Sequence, residues 1–486
     1  PDLSSARPLA HHPVVASPAP AYNPFRIHPP HTATRYRFRR GGTVMLQAGF
    51  GVADITPDAG MEMPGGFFKR QGKGVRDKLI AAACVVYDGA TPVALVGIDT
   101  LFVTRPTVDA ARRAIQKATK IPGDNVLVGA SHTHSGGPIA SCLGSDEDPK
   151  YTDRVTAGIT KAVTDAWNAL HACAIGVGIG AENSIAFNRR FLMRDGKEIT
   201  HPGKPGTPHH KDIVAPAGPT DPSVGILAVR SPGPNGKLAG VVVNFACHST
   251  VVGGDLFSAD YAAYLRKHLK AHYGENFPVV FLLGACGDIT QVDNLSTARE
   301  FGPEHADMMG MKLAGETIRV VNRLEWTKEA PTAATVEAVP VAIRAEPDPE
   351  AERPAFGLGS DTSKDQKINA VYERERKLVA EERRRTPKLS CEVQALRIGP
   401  LGIATNGAEY FCEYGLRIKS ASRHPATWFV SLANEWIGYV PTAQAFVGGG
   451  YEPRTARSSK LEPAAGQKLL EGALKALAKV LPKEKE

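Results

Sequence analysis

The sequence lacks any apolar run that approaches the roughly 20 residues required for a membrane-spanning helix. It has no CxxC pair, and its seven cysteines are an odd number spread along the chain. These absences argue against a disulfide framework and against a thiolate zinc site. Most of the cysteines stand in apolar runs, where a free thiol behaves as a small core residue. They are Cys84, Cys142, Cys173, Cys247, Cys286, Cys391 and Cys412.

Positive charge is only modestly in excess, with a formal net charge of +8 over 486 residues. The densest basic runs are "RYRFRR" near the N-terminus and "ERERKLVAEERRR" near residue 380. A basic balance favours anionic lipid surfaces or nucleic acid in general, but the second run is interleaved with Glu and fits a solvated helix face better. We therefore predict no nucleic-acid partner.

Residues 1–45 are rich in Pro, His and Arg and show no apolar periodicity. They also lack the apolar central region of a secretory signal, so no targeting segment is readable and the sequence does not specify a compartment. We predict that these residues form a disordered leader outside the mature protein, and that the ordered chain starts near Met45.

From residue 46 onward, strand-like and helix-like stretches alternate along the chain. Short apolar runs such as "PVALVGID" and "NVLVGA" predict buried strands, and "PTVDAARRAIQKAT" predicts an amphipathic helix with Pro106 in its first turn. This alternation predicts an α/β fold in which mixed sheets are flanked by helices. We expect one large catalytic unit over residues 46–486, with a charged helical insertion at about 345–388.

Polar residues that can bind metals or take part in catalysis follow several of the predicted strands. In open α/β sheets the carboxyl ends of the strands form the usual site, so these residues are expected to converge. They are His132 and His134 after "NVLVGA", His248 after "AGVVVNFA", Asp288 and Thr290 after "PVVFLLGA", Glu409 after "LGIAT", and Tyr439 after "TWFVSLAN".

Each of these residues has an ordinary structural interpretation when it is taken alone. The HxH pair suits a polar surface loop, and it places both rings on one face if strand geometry continues through it. His248 follows an apolar run and suits a hydrogen-bonded core histidine. Glu409 follows a glycine at a predicted helix start, where a carboxylate complements the helix dipole. Tyr439 and Tyr451 suit half-buried packing positions.

Taken together, two imidazoles and a carboxylate form the N,N,O donor set that is typical of catalytic zinc, with a coordination position left for water. Zinc lowers the pKa of such a water and polarises a carbonyl group, so the set suits hydrolysis of amides or esters. A phosphoesterase of the metallo-β-lactamase type is not indicated, because "HTHSGG" lacks the Asp-His pair that such sites place next.

The order and spacing of several motifs resemble the neutral/alkaline, non-lysosomal ceramidase family. The resemblance runs from "AGFGVADITP" and "MPGGF" to "GYVPTAQAFVGGGYE" and covers most of residues 48–455. It corresponds to the catalytic domain of that family, and we recognise no counterpart of the family's C-terminal immunoglobulin-like domain. The resemblance implies a small-molecule lipid or N-acyl amide substrate and peripheral contact with a membrane. It does not specify an oligomeric state.

The resemblance also implies Zn²⁺ as the cofactor and four ligands to it. "SHTHSGGP" and "NFACHST" resemble the family's histidine segments and imply His132 and His248 as ligands. "NGAEYF" resembles the segment that carries the carboxylate ligand, here Glu409. "GYVPTAQAFVGGGYE" matches a segment with two tyrosines, of which Tyr439 is implied as the fourth ligand.

Further residues are implied as parts of the catalytic machinery. His134 would contact the reacting amide, Tyr451 would lie close to the substrate carbonyl, and Arg189 in "FNRR" would be a polar contact. Thr290 stands in "GDITQVDN" where the family's GDxSPN segment has a site serine, so a hydroxyl remains but a covalent serine mechanism is not available. Asp288 is expected to orient a histidine.

Our leading hypothesis is a zinc-dependent amidohydrolase in which metal-activated water attacks an amide carbonyl. Tyr451, Arg189 or His134 would stabilise the oxyanion. His134 would pass a proton to the leaving amine, since imidazole titrates near working pH. The alternatives are a zinc hydrolase of a soluble amide or ester and a non-catalytic binding protein on the same scaffold.

Overall fold

The computed structural model describes residues 45–345 and 362–482, with the backbone alone for 362–366. The predicted leader therefore lies outside the described residues apart from Met45, and so does part of the predicted insertion at 345–388. The extent of the leader and of the catalytic unit stay predictions.

The first third of the described chain contains the two buried strands at "PVALVGID" and "NVLVGA" and the helix with Pro106 that apolar patterning predicts. The helix that includes Pro106 buries one face, with Val108, Ala111 and Ile115 at helical spacing. The elements are β1 Gln47–Asp54, β2 Gly74–Val75, β3 Ile80–Tyr87, β4 Pro92–Ile98, α1 Arg105–Thr119, β5 Val126–Ala130, α2 Pro149–Asn168 and β6 His171–Ala172.

The middle third alternates long strands with short ones. Leu238–Phe245 and Val279–Leu283 are apolar and almost fully buried, as strands covered on both faces must be. The elements are β7 Ala174–Ala181, β8 Phe187–Asn188, β9 Arg190–Met193, β10 Glu198–Thr200, β11 Ile213–Pro216, β12 Ser223–Arg230, β13 Leu238–Phe245, β14 Leu256–Phe257, α3 Tyr261–Tyr273, β15 Val279–Leu283, β16 Ile289–Thr290 and α4 Pro303–Val321.

The last third contains the charged helix predicted within the insertion, observed at Thr362–Arg385. The elements are β17 Thr332–Ala342, α5 Thr362–Arg385, β18 Lys388–Ile398, β19 Leu401–Asn406, β20 Ala408–Tyr410, α6 Cys412–Ala421, β21 Ala426–Val430, β22 Gly438–Val440, α7 Ala443–Gly448 and α8 Ala465–Lys479.

Three sheets organise these elements, in the strand orders β5-β4-β3-β1-β6, β15-β13-β12-β7 and β17-β18-β19-β21. Each sheet holds one parallel pair, namely β4 with β5, β13 with β15, and β19 with β21, while its other pairs are antiparallel. The prediction of an α/β fold with mixed sheets is thus confirmed. The segments that leave the carboxyl ends of β5, β13 and β19 carry His132, His248 and Glu409.

The three sheets share one apolar cluster, to which strands from each of them contribute buried side chains. Helices cover the outer faces: α2 packs on β1 and β3, α4 on β7 and β12, and α8 on β17, β18 and β19. Burial of each large apolar side chain contributes about 1.5–3 kcal/mol, so this shared cluster is a main source of stability. Its members include Leu95, Leu127, Val242, Val280, Ile403 and Trp428.

All seven cysteines are free and buried, as the sequence predicts. Among the described helices, none combines the length and the apolar character that crossing a bilayer requires.

The first and second sheets approach closely at Gly97 on β4. A Cβ atom built at this position would lie 2.2 Å from the backbone oxygen of Phe281 on β15. Gly97→Ala should therefore lower the free energy of unfolding by about 1–3 kcal/mol, because a backbone atom must move to relieve the overlap. Thermal and urea unfolding of the full chain measure the change.

Gly315 provides the matched control, since a Cβ atom there meets nothing within 4 Å and the residue lies on an exposed position of α4. Gly315→Ala should raise stability by about 0.5–1 kcal/mol through helix propensity. An unchanged melting temperature for Gly97→Ala would contradict the proposed packing of the two sheets.

Candidate metal centre

Three histidines from two distant segments meet in the interior. One ring nitrogen from each of His132, His134 and His248 lies within 4.8 Å of the others. The ring centroids are 4.8 Å apart for the first two and 4.5 Å apart for His132 and His248. The side chain of His132 is buried and that of His134 is half-buried, so the HxH pair is not the surface loop that the sequence alone allowed, while His248 is buried as a core histidine would be.

A backbone carbonyl oxygen fixes the orientation of each ring. Because a carbonyl oxygen only accepts, the Nδ1 atom of each ring carries the proton and the Nε2 atom presents a lone pair. Ligating histidines use this arrangement, with the second nitrogen donating to a carbonyl or a carboxylate. The pairs are His132 with Leu101 at 2.7 Å, His248 with Cys286 at 2.7 Å, and His134 with Gly65 at 2.9 Å.

The Glu409 carboxylate faces these lone pairs. Its Oε2 atom lies 3.3 Å from Nε2 of His132 and 3.6 Å from Nε2 of His248. This oxygen is buried and has no hydrogen-bond partner among the described residues, whereas Oε1 accepts from the Trp436 indole at 3.4 Å. A buried carboxylate oxygen facing imidazole lone pairs needs a proton or a cation between them. The donor set fits a divalent metal ion.

Glu409 is held by a strand and not by a helix start, so that expectation was wrong. Ala408–Tyr410 pairs in parallel with Gly438–Val440, and Glu409 lies in register with Tyr439. The pairing brings the Tyr439 hydroxyl to 3.3 Å from Nε2 of His248. The three-residue strand depends on a partner nearly thirty positions later, which explains why local sequence did not reveal it. The structure thus gathers all four predicted ligands; their binding of zinc stays a prediction.

The HxH pair does not continue the strand as the sequence suggested. The strand ends at Ala130, and His132 has the left-handed backbone angle φ 64°. Its amide donates to the Thr100 carbonyl at 3.0 Å, and the His134 amide donates to the Ser249 carbonyl at 3.1 Å. Tertiary hydrogen bonds therefore hold the strained turn that aims the first ring inward.

Burial and neighbouring charges shift the pKa values at this site. Burial, together with Arg189 and His132, lowers the pKa of His248 to about 3. Burial and the two other imidazoles hold the pKa of His134 well below its usual value, so its expected titration near working pH is not observed. Burial alone would raise the pKa of Glu409, but His132 and His248 hold it well below its usual range. The site therefore presents His134 and His248 as neutral imidazoles and Glu409 as an ionised carboxylate.

Comparison with solved structures identifies the architecture. A ceramidase complexed with C2 matches with a TM-score of 0.68, and the neutral ceramidase from Pseudomonas aeruginosa matches with a TM-score of 0.67. Both alignments have 19% sequence identity and cover 91% of this chain and 76% of the matched chain. The chain has the neutral ceramidase fold. The resemblance drawn from the motifs is confirmed at this level.

Sequence comparison alone does not reach that result. No protein-family model matches the chain, and a search of curated proteins finds no significant match. At 19% identity the two solved structures establish the fold, so the activity must be argued from the site itself.

Arg189 forms one wall of the site in this neutral ceramidase fold. Its guanidinium donates to the Gly287 carbonyl at 2.7 Å and to the Tyr439 hydroxyl at 3.2 Å. It also donates to Glu452 at 2.8 Å. Burial works against the charge of Arg189, but Tyr439 and Glu452 raise its pKa above the ordinary value. Arg189 therefore supplies a fixed positive charge beside the tyrosine.

Sequence reasoning missed Glu452, although it directly follows the predicted Tyr451. Its carboxylate accepts from Arg189, from Arg190 at 2.5 Å and from the Thr200 hydroxyl at 2.8 Å. Arg189 and Arg190 are buried in the structure, and two buried arginines require carboxylate partners, so the pair of adjacent arginines in "FNRR" is the signal that could have found it.

Aromatic rings continue the wall beyond Tyr439. The rings of Tyr439 and Tyr451 meet edge to face, with centroids 5.5 Å apart. The ring centroid of Phe67 lies 6.1 Å from that of Tyr451 and 5.8 Å from that of Tyr372 on α5. The charged helix therefore contributes to the surroundings of the site. Burial raises the pKa of Tyr451, which keeps its phenol protonated and able to donate.

Two residues of the "GDITQVDN" segment form their hydrogen bonds with residues other than the three histidines. Asp288 was expected to orient a histidine, but its oxygens accept from the Asn188 amide and the Cys412 backbone, both at 2.8 Å. Backbone carbonyls orient the histidines instead. The Thr290 hydroxyl donates to Gln291 at 3.1 Å, and none of its hydrogen bonds within the described residues reaches the histidines. A catalytic role for Thr290 stays a prediction.

Replacement of His248 should remove the metal site. His248→Ala deletes one lone pair and the ring that lies beside Tyr439, so the purified variant should retain far less than the roughly one divalent ion per chain expected of the parent protein. Metal analysis after dialysis against a limiting concentration of zinc measures the stoichiometry.

His268 is the matched control, because it lies on α3 against Asp307 and outside the cluster. His268→Ala should bind metal as the parent protein does. Full metal content in His248→Ala would show that the ligand assignment is wrong.

The Glu452 network makes stability depend on acid pH. Burial would raise the pKa of Glu452, but Arg190 and Arg189 lower it to about 2 from an ordinary 4.5. Its stabilising contribution is therefore complete above pH 4.5 and is lost as the pH falls toward 2. Glu452→Gln should lower the free energy of unfolding at pH 7 by about 3–5 kcal/mol.

The variant should also flatten the pH dependence between 4.5 and 2.5 by up to about 1.4 kcal/mol per pH unit. Urea unfolding at stepped pH measures both effects. The exposed Glu471 provides the control, since Glu471→Gln should leave the slope unchanged. An equal slope for Glu452→Gln and the parent protein would argue against a charged Glu452.

Proposed function

We propose that the protein is a zinc-dependent amidohydrolase that cleaves the N-acyl amide of ceramide or of a related lipid. The observation that carries the proposal is the buried Oε2 atom of Glu409, which lacks a hydrogen-bond partner among the described residues and faces Nε2 of His132 and His248. The neutral ceramidase fold supports the reaction class.

The donor set favours zinc over harder cations. Imidazole nitrogens with one carboxylate suit Zn²⁺, whereas Mg²⁺ and Ca²⁺ prefer oxygen ligands throughout. His132, His248 and Glu409 would hold the ion, with the Tyr439 hydroxyl beside them. When bound, zinc supplies a Lewis acid that polarises a carbonyl and lowers the pKa of a water.

The phenols and Arg189 are placed to stabilise the negative charge that develops on an amide oxygen. The Tyr451 phenol keeps its proton because burial raises its pKa, so it can donate a hydrogen bond to an oxyanion. Arg189 donates to the Tyr439 hydroxyl and is held in place by Glu452. Its positive charge is therefore fixed beside the tyrosines before substrate binds. Fixed donors of this kind need no reorganisation during the reaction.

His134 is the group that serves the leaving amine. Its Nδ1 proton is committed to the Gly65 carbonyl, and its Nε2 lies 3.4 Å from Nε2 of His132, so the free lone pair points into the cluster. A neutral imidazole in this position accepts a proton from the attacking water and delivers it to nitrogen as the C–N bond breaks. The products are the uncharged amine and the carboxylic acid, or the ammonium and the carboxylate once the acid has passed its proton to the amine.

Hydrolysis of a fluorogenic long-chain ceramide by the zinc-loaded chain tests the proposal. The parent protein should turn the amide over, and Tyr451→Phe should lower kcat by a factor of about 10²–10³, since one oxyanion donor is lost. Bound zinc, measured on the same samples, should be equal in the two proteins.

A matched comparison is offered by the buried Tyr414 of α6, which packs against Tyr410 away from the cluster. Tyr414→Phe should retain full activity. Absence of ceramide turnover by a fully zinc-loaded parent protein, or equal rates for Tyr451→Phe, would refute the proposed function.

A further inference from the structure

Arg70 brings a positive charge to the edge of the site without a carboxylate partner. Its guanidinium contacts carbonyl oxygens only: that of His134, that of Pro64 at 3.5 Å and that of Gly254 at 3.4 Å. Its Nε atom is buried and has no hydrogen-bond partner among the described residues. A ligand cannot reach this buried Nε, but Nη1 carries two N–H groups and gives only one of them to Gly254, so one donor at the half-buried end of the side chain is left over.

Four buried arginines each pair with a carboxylate, whereas Arg70 is only half-buried and pairs with none among the described residues. Arg189 and Arg190 share Glu452, Arg112 pairs with Glu392 at 2.8 Å, and Arg266 pairs with Asp99 at 2.7 Å. A buried guanidinium is normally compensated in this way, because its charge is costly to desolvate alone. Arg70 is half-buried, and since no carboxylate within the described residues pairs with it, its charge remains available to an anionic ligand.

The position of Arg70 relates it to one side of the reaction. Its loop holds His134 at two points, since the Gly65 carbonyl accepts from the His134 ring and Arg70 donates to the His134 backbone. His134 is the residue assigned to the leaving amine. Arg70 thus lies on the side where the amine portion of a substrate must sit.

There is space beside the guanidinium. A Cβ atom at Gly253 or at Gly254, whose carbonyl Arg70 contacts, would meet nothing within 4 Å. A Cβ atom at Gly66 would lie 3.9 Å from Nε of Arg70, in ordinary contact. A small group can therefore approach the guanidinium without displacing protein atoms.

We propose that Arg70 binds an oxyanion carried by the amine portion of the substrate, so that the enzyme prefers N-acyl amides of amines bearing a carboxylate or a phosphate. A guanidinium attracts either group through its charge and donates a charge-assisted hydrogen bond to it. The amine portion of ceramide carries hydroxyl groups but no anionic group, so it leaves the charge of Arg70 without a partner. The inference rests on the proposed amide hydrolysis, in which water gives its oxygen to the acyl carbon and a proton to nitrogen.

Three substrates with one acyl chain test the preference on the zinc-loaded full chain. They are N-lauroylglycine, the neutral N-lauroylethanolamine, and the O-phosphate of the latter, all below their micelle-forming concentrations. The parent protein should show kcat/KM at least 10-fold higher for an anionic substrate than for the neutral one. The faster of the two anionic substrates identifies whether carboxylate or phosphate is the preferred group.

Arg70→Met should lower kcat/KM for the anionic substrates by 10–100-fold and that for N-lauroylethanolamine by less than 3-fold. Arg70→Lys should recover part of the loss, since it keeps the positive charge but places it differently. Lys69→Met is the matched control in the same loop, because the exposed Lys69 is already paired with Glu62 and Asp146. It should leave the substrate ratio unchanged.

Equal losses for all three substrates in Arg70→Met, with folding intact by thermal unfolding, would show that Arg70 only braces His134 and would overturn the inference. An unaltered ratio in both Arg70 variants would overturn it as well.

Failure of the proposed function gives a different result, in which no amide is cleaved at full zinc occupancy. Calorimetric binding of N-lauroylglycine to the zinc-loaded parent protein and to Arg70→Met then decides the inference separately. Weaker binding to Arg70→Met by at least 10-fold supports Arg70 as the oxyanion ligand, and equal binding overturns it.

Discussion

The structure depends on a set of electron-rich atoms that repel one another unless a positive charge lies among them. The buried Oε2 atom of Glu409 lies 3.3 Å from Nε2 of His132 and 3.6 Å from Nε2 of His248, and the carbonyls behind the rings leave no proton on those nitrogens. Such a cluster is unfavourable in a folded chain unless it binds a cation. The surrounding architecture can be understood as the means of holding it together.

Each of the three large sheets helps to hold the cluster together through its single parallel pair of strands. The carboxyl ends of these pairs lead into the segments with His132, His248 and Glu409, while the antiparallel strands beside them fill the shared apolar core. Packing around Gly97 brings the first two sheets close enough for the two histidine segments to meet. Arg189 and Glu452 then fix the wall of tyrosines in a charged network that does not include the cluster.

Much of this could be predicted from the sequence, and the failures have a common physical cause. Apolar runs on β4, β5, β13 and β15 have strong local patterning, and the candidate residues stand directly after such runs. The strand at Glu409, the left-handed turn at His132 and the true partners of Asp288 all depend on pairing with distant segments, which local patterning does not encode. Arg70 was missed for the same reason, since its significance lies in the carboxylate that no described neighbour supplies.

The attachment of one ligand to each sheet has a thermodynamic consequence for the whole chain. An ion bound there adds a link between three sheets that are otherwise joined by apolar contacts and a few buried hydrogen bonds. Its binding free energy adds to the free energy of unfolding in proportion to the logarithm of its concentration over Kd. Availability of the metal would then govern resistance to heat and proteolysis as well as catalysis. Scarcity would weaken the junction between the sheets before it affected any helix on the periphery.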